Sequence, residues 1–175
     1  TCACRATATR WRCEKSGAGV TSAGLRAVWV WETGDVIGHT STSRQSKAIQ
    51  IGTMSKYSHV GVVVYKDGVH KVLEARSRVK YTPISVFLKR GKGKKYTVLR
   101  PKKPLTSTQQ KQLRAVAKNY IGKPYDTPFQ WSDKKMYCSE VIWKMYDDIG
   151  IEICESGIEI SNLSYRSFFL ESLET

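Results

Sequence analysis

The run His59-Val-Gly-Val-Val-Val-Tyr65 is followed by a short polar break and then by Val69-His-Lys-Val-Leu-Glu-Ala75. Both runs are rich in β-branched residues, which favour the extended backbone of a strand. The break contains Asp67-Gly68, a dipeptide that is typical of a tight turn between two antiparallel strands. These residues therefore predict a β-hairpin, and the hairpin predicts an antiparallel sheet.

The register of this hairpin decides whether two chemically interesting side chains meet. A turn of two or four residues places Gly61 opposite Glu74. Cross-strand partners and residues two apart on one strand point to the same side of a sheet, so His59 and Glu74 become diagonal neighbours. Gly61 adds no bulk that would obstruct the carboxylate. A three-residue turn would put the pair on opposite faces, so the expected contact depends on the turn length.

Two helices are predicted after the strands. The first covers 106–121, where Thr106 and Gln109 have capping-box spacing and apolar residues recur one helical turn apart. The second covers 138–149, with one apolar stripe. Strands first and helices last predict an α+β domain in which an antiparallel sheet packs against helices. Weaker patterns predict strands at 27–31 and 96–100, and a short helix over 43–54 with Ala48 and Ile51 on its inner side.

The 175 residues are enough for one domain with its own core. Residues 1–26 are rich in Thr, Ala, Gly, Ser and Arg and lack hydrophobic periodicity. We therefore set them apart as a poorly ordered tail or the remnant of a leader. We expect residues 27–175 to form a single catalytic domain. No apolar run is long enough to cross a bilayer, so we expect no transmembrane segment.

The charge balance favours anionic partners. The chain has 29 basic and 15 acidic residues, which gives a net charge of +14, and such a charge attracts cell-wall polymer, phospholipid or nucleic acid. The Gly/Lys run at 89–95 leaves open a second class of function, a non-catalytic basic binding module. No recognition helix or ribonucleoprotein-type motif accompanies this run, so we expect no specific nucleic-acid partner.

Cys138 is the candidate nucleophile. Of the five cysteines it is the one in a strongly patterned segment, and it begins a predicted helix, where free N–H groups and the helix dipole lower the pKa of a thiol. With His59 as base and Glu74 to orient that base, it completes a nucleophile–base–orienter set. The cysteines and histidines lack the paired spacing of a zinc site, and we expect neither a metal nor a cofactor.

Five motifs, taken in chain order, resemble the YaeF/YiiX-like branch of the NlpC/P60 superfamily. The resemblance implies a circularly permuted papain-like fold, in which the histidine strand precedes the cysteine helix. It also implies Cys138 as nucleophile, His59 as general base and Glu74 as the third member of the triad. The motifs are Thr33-Gly-Asp-Val-Ile37, Tyr57-Ser-His-Val-Gly-Val-Val63, Val72-Leu-Glu-Ala75, Gly122-Lys-Pro-Tyr-Asp126 and Tyr137-Cys-Ser-Glu140.

The substrate is an expectation drawn from the same resemblance. It implies a papain-like cysteine hydrolase that cleaves amide bonds of peptidoglycan or related cell-wall peptides, and we expect Tyr137, Tyr125 and Ser58 to contact the substrate. A secreted or periplasmic location belongs to this expectation, as does an antibacterial effector role with an immunity or delivery protein as partner. A lipid acyl-ester hydrolase or acyltransferase that uses the same triad is left open as an alternative, because similar enzymes act on lipids.

Overall fold

Six strands and four α-helices make up the part of the chain that the computed structural model describes, residues 11–15, 30–53, 56–101 and 103–153. The arrangement is an α+β fold. The strands are β1 (Trp11–Lys15), β2 (Val36–His39), β3 (His59–Lys66), β4 (Val69–Ala75), β5 (Val79–Pro83) and β6 (Thr97–Pro101). The helices are α1 (Ser46–Thr53), α2 (Ile84–Lys89), α3 (Ser107–Tyr120) and α4 (Cys138–Asp147), with a short 3₁₀ turn at Lys92–Lys94.

The predicted hairpin lies inside one antiparallel sheet with the strand order β1-β6-β2-β3-β4-β5. Lys66 pairs with Val69 and Tyr65 with His70, which is the register of a two-residue turn. Asp67 and Gly68 both have positive φ, 52° and 80°, as the tightest hairpin turns require. The predicted hairpin and its register are therefore confirmed.

The two faces of the sheet carry different cores. Alternate residues of β3 point to the face covered by α3 and α4 and contribute to a large apolar cluster. The opposite face is covered by α2 and carries a small apolar cluster. The large cluster includes Val60, Val62, Val64, Leu73, Leu113, Val141, Ile142 and Met145, and the buried part of the small one consists of Ile37, Val63, Val72 and Phe87.

The capped helices form where the sequence predicts them. Thr106 caps α3 through a complete capping box with Gln109, and α4 begins at Cys138. The helix predicted over 43–54 is shorter, Ser46–Thr53, and its inner side was wrongly predicted. Ala48 and Ile51 are exposed, whereas Ser46 is buried, because a buried hydroxyl hydrogen bond fixes this helix against the sheet.

The first strands were predicted least well. Val30 and Trp31 are irregular rather than part of a strand, because the chain turns at 33–34 and enters the sheet only at Val36, while residues 27–29 lie outside the described residues. The segment set apart as a tail contributes β1, which pairs with β6 along all five of its residues. The open edge of β6 offers unpaired backbone groups, and this segment satisfies them. No described helix is long and apolar enough to cross a membrane.

Candidate active site

Cys138 lies at the start of α4, and the local sequence explains why the helix begins there. Tyr137 is extended (φ −99°, ψ 170°) and its N–H donates to Glu140 Oε2 at 3.2 Å, which closes the first turn. The apolar residues that follow bury α4 against β3 and β4. Cys138 itself is 9% exposed and carries a free thiol. Its thiol is therefore held at the positive end of a helix that cannot shift freely.

His59 and Glu74 meet as the hairpin register predicted. The Nε2 atom of His59 lies 2.6 Å from Oε2 of the fully buried Glu74. The other carboxylate oxygen, Oε1, accepts from Thr82 Oγ1 and from Arg90 Nη2, each at 2.5 Å. Burial would raise the pKa of Glu74, but the hydrogen bond and charge of His59, with the hydrogen bonds from Thr82 and Arg90, lower it from 4.5 to about 2. The carboxylate is therefore ionised at neutral pH and fixed by three donors.

His59 also hydrogen-bonds to Cys138, so it contacts both other candidates. Burial lowers the pKa of the imidazole, but the contacts with Cys138 and Glu74 outweigh it and raise the pKa from 6.5 to about 9. The pKa of Cys138 is lowered despite burial, because His59 and the backbone N–H groups of Val60 and Ser139 stabilise the thiolate. These shifts favour a thiolate–imidazolium pair at neutral pH.

The three side chains come from opposite faces of the sheet. Glu74 lies on the α2 face, two residues from Val72, and the His59 ring packs 5.5 Å from the Phe87 ring of that face. Cys138 belongs to the apolar cluster of the other face. His59 is the first residue of β3, and the described β3–β4 pairing starts only at Val62. Its imidazole therefore lies at the end of the sheet, where it contacts side chains from both faces.

The three expected substrate contacts have different surroundings. Tyr125 lines the cleft beside His59, and the loop that carries it is fixed by a backbone bridge to Met136, two residues before Cys138. Burial and the negative charge of Cys138 raise the pKa of Tyr125, so its hydroxyl keeps its proton. Ser58 also lines the cleft, but its hydroxyl accepts from the Ser41 N–H at 2.8 Å and lies 2.6 Å from the hydroxyl of Ser46.

Tyr137 is 3% exposed and packs its ring against aromatic neighbours. Its centroid lies 5.8 Å from that of Phe129 and 6.5 Å from that of Trp131, both in edge-to-face geometry. Of the three expected contacts, Tyr125 is thus the one that combines a place in the cleft with a protonated hydroxyl beside the thiol. Tyr137 instead supports the segment that leads into α4.

Sequence reasoning missed three residues around the pair. Thr82 and Arg90 fix Glu74, and His39 pairs directly with His59 in the β2–β3 register. Recognition of β5 would have revealed Thr82, because Glu74 pairs with Lys80 and Thr82 follows on the same face. Nothing in the local sequence marks Arg90. It comes from the turn after α2 and reaches the carboxylate only through tertiary packing.

His39 is a buried neutral base. Its ring centroid lies 5.4 Å from that of His59 and 4.7 Å from that of Phe87. Burial and the charge of His59 lower its pKa from 6.5 to about 4. Among the described residues neither ring nitrogen has a hydrogen-bond partner of normal geometry, and the backbone of Thr40 offers only a weak one.

The described residues also limit what the site can hold. Within them, no group of three or more His, Cys, Asp or Glu side chains is arranged to bind a metal ion. What the site does offer is a thiolate, an imidazolium hydrogen-bonded to it, and a fixed carboxylate behind the ring. This arrangement can carry out nucleophilic attack and proton transfer on an acyl group.

Comparison with known proteins gives consistent results. Residues 30–159 match the model of a family described as permuted papain-like amidase enzyme, YaeF/YiiX, C92 family. The uncharacterized protein YiiX of Escherichia coli (strain K12) is 45% identical over 128 residues, which is 73% of this chain and 63% of that protein. A crystal structure titled metalloprotein yiiX, from Escherichia coli O157:H7, superposes with a TM-score of 0.70 at 44% identity and covers 78% of this chain and 79% of that one.

Proposed function

The chain belongs to the family of permuted papain-like amidases, YaeF/YiiX or C92, and from this membership we propose that it is a cysteine hydrolase that cleaves amide bonds. Cys138 acts as nucleophile, His59 as acid and base, and Glu74 orients and charges the imidazole. The observation that carries the proposal is the continuous chain of hydrogen bonds from Cys138 through His59 to Glu74 at the start of α4. Covalent catalysis needs these three groups in this order.

The proposed reaction has two steps. The Cys138 thiolate attacks the carbonyl carbon, and the oxyanion that forms is stabilised by N–H groups at the start of α4. The His59 imidazolium donates its proton to the leaving nitrogen, the C–N bond breaks, and a thioester remains on Cys138. In the second step His59 takes a proton from water, and the hydroxide oxygen attacks the thioester. Breakage of the C–S bond then releases the acid and restores the thiolate.

We further propose that the amide belongs to peptidoglycan or a related cell-wall peptide. The family description names amidases, and a net charge of +14 favours encounter with an anionic envelope polymer. A secreted or periplasmic location, an antibacterial effector role and an immunity or delivery partner remain parts of this proposal. The chain spans 63% of the length of the E. coli YiiX protein that it matches. These roles are therefore proposed for this chain and are not taken from that relative.

The lipid alternative gains no support from the described residues. Val60, Val62 and Val64, which could have formed an acyl-binding wall, are buried in the apolar core. Most of the residues that line the cleft beside His59 carry a hydroxyl, imidazole or guanidinium group. The basic-module alternative is weakened because Arg90, in its Gly/Lys run, is committed to Glu74. "Metalloprotein" describes the E. coli structure. Among the described residues of this chain, no group of three or more His, Cys, Asp or Glu side chains is arranged to bind a metal ion, and the proposed steps use no metal.

The test incubates the protein with purified peptidoglycan and, separately, with phospholipid vesicles. We expect wild type to release new amino and carboxyl ends from peptidoglycan and no fatty acid from the vesicles. Cys138→Ala should abolish the release, because the attacking atom is lost, and should keep the circular dichroism of wild type. Cys154→Ala is the matched control and should behave as wild type. Activity of Cys138→Ala within tenfold of wild type would overturn the assignment.

A further inference from the structure

One side of the cleft, next to His59, is polar and positively charged. It is formed by the segment that leads into α1 and by the turn after β4. No acidic side chain lines it among the described residues. The residues that give it this character are Arg76, Ser41, Thr42, Ser43, Gln45 and His39.

The two arginines of this cleft have different roles. Arg90 forms an ion pair with Glu74, to which its Nη2 atom donates at 2.5 Å. Arg76 is exposed and has no acidic partner among the described residues. It lies two residues after Glu74, in a turn closed by its own N–H, which donates to the carbonyl of Arg78 at 3.3 Å. Arg76 therefore presents an uncompensated guanidinium from a backbone that is fixed next to the catalytic pair.

A second observation indicates that this part of the cleft takes a ligand. His39 is 1% exposed, contributes to the cleft lining, and lacks a good hydrogen-bond partner for either ring nitrogen among the described residues. Buried polar groups in folded proteins are nearly always hydrogen-bonded, so an unpartnered one beside a cleft indicates a polar group that arrives with the ligand. The arginine and the histidine thus independently favour an acceptor-rich ligand.

The proposed reaction determines which half of the substrate lies there. His59 must contact the leaving nitrogen in order to protonate it, so the part of the substrate beyond that nitrogen lies on the His59 side of Cys138. The leaving-group half therefore contacts the region of Arg76 and Ser41. A guanidinium flanked by hydroxyl groups binds carboxylates well, because it presents paired donors to paired acceptors.

We propose that this subsite binds a carboxylate on the leaving-group half of the substrate, and that Arg76 is the residue that selects it. The proposal rests on the proposed function, because that function assigns the leaving group to the His59 side. The substrate class is an amide whose leaving amine carries a carboxylate close to the scissile bond. That carboxylate is either the free C-terminus of a peptide or an acidic side chain.

Binding measured in the Cys138→Ala protein tests the subsite without any need for turnover. Three probes are titrated by calorimetry: acetyl-trialanine as free acid, the same peptide as amide, and acetyl-Ala-Ala-Glu as amide. We expect the free acid to bind on the order of tenfold tighter than its amide, as a charge-assisted pair implies. The glutamate amide distinguishes a C-terminal carboxylate from a side-chain carboxylate. It should bind as tightly as the free acid only if a side-chain carboxylate also reaches Arg76.

The decisive variants add Arg76→Gln, Arg76→Lys or Arg78→Gln to Cys138→Ala. Arg76→Gln should make free acid and amide bind equally, Arg76→Lys should keep part of the preference, and Arg78→Gln should keep all of it. Arg78 is the matched control because it is exposed on the same turn but does not line this cleft. Equal binding of acid and amide before substitution, no binding of any probe, or a preference that survives in Arg76→Gln would overturn the subsite. Failure of the proposed function would be detected in a separate experiment, in which the wild-type protein would leave peptidoglycan intact.

Discussion

The two faces of the sheet show how the fold separates stability from chemistry. The face under α3 and α4 is apolar nearly throughout, and Leu113, Ile142 and Met145 are fully buried there. The face under α2 has only a small apolar cluster, beside which His59 and Glu74 are buried at 9% and 0% exposure. Burial of polar groups is costly unless each finds a partner, so the second face is stable only as a hydrogen-bonded network.

The comparison explains why the network has so little freedom. Glu74 is fixed by three donors, and Gly61, on the neighbouring strand, leaves space for the side chains of Val72 and Phe87. A Cβ atom at Gly61 would overlap Val72 Cγ1 and lie 3.2 Å from Phe87 Cε2. The apolar face contributes differently, because it fixes the position of α4 and so brings Cys138 to the ring of His59. One face sets where the nucleophile lies, and the other sets the proton affinity of the base.

The largest expected effect comes from one substitution on each face. His59→Ala should lower kcat/KM by at least about 10³-fold, because both proton transfers are lost, and should be as inactive as Cys138→Ala. Leu113→Ala should lower the free energy of unfolding by about 2–5 kcal/mol and leave kcat/KM of the folded protein near wild type. Denaturant unfolding and steady-state kinetics measure the two quantities. If Leu113→Ala lost activity as severely as His59→Ala while folded, the separation of the faces would be wrong.

A smaller effect is expected at Glu74, the carboxylate proposed to orient the base. Glu74→Gln should also reduce kcat/KM, but this reduction should be about tenfold to a hundredfold smaller than the reduction in His59→Ala. An orienting residue contributes less than the base. Asp35→Asn is the matched control. Asp35 is also buried and paired with an arginine, since Arg100 Nε lies 2.7 Å from its Oδ1, but it is not part of the hydrogen-bond chain to Cys138. The Asp35→Asn variant should be less stable than wild type and should keep wild-type activity.

Activity measurements on the two carboxylate variants distinguish the possible orienting residues. Wild-type activity in Glu74→Gln would mean that another carboxylate orients His59, with Asp126 the next to test. Asp35 is bound on both oxygens by Arg100, with the second contact, Oδ2 to Nη2, at 2.8 Å. An equal loss in Asp35→Asn would therefore indicate a general effect of buried charge rather than a role for Glu74 in orienting the base.

The sequence predicted the contact between His59 and Glu74 and the position of Cys138 at a helix start because local rules decide them. An Asp-Gly turn sets the register, the register sets which residues share a face, and the helix start sets the surroundings of Cys138. The sequence did not predict Arg90 or the buried His39, whose positions depend on how α2 and β2 pack against the hairpin. It also missed β1, because the apolar–polar alternation from Trp11 to Glu14 is only four residues long, and the segment is a strand because β6 offers an open edge.

The smallest expected effect is a shift in pH dependence, and it tests how the two faces are coupled through His59. The proposed mechanism requires the thiolate of Cys138 and the imidazolium of His59, so kcat/KM should rise through a low step and fall through a high one. The two steps belong to the coupled pair. The pKa of Cys138 is lowered, and that of His59 is raised to about 9, so the plateau should include neutral pH and end near pH 9.

Glu74→Gln should move the upper step to lower pH, because the neutral amide no longer stabilises the charged ring, and should leave a narrower plateau. Alkylation of the thiol by iodoacetamide, an uncharged reagent, reports the lower step alone. Its rate should stay high above pH 9, where hydrolysis falls, since the thiolate persists after His59 loses its proton. Asp35→Asn serves again as control and should keep both steps. A single alkylation step in wild type near the ordinary thiol value of about 8.5 would mean that Cys138 is not activated, and the coupling between the two faces would then have no chemical consequence.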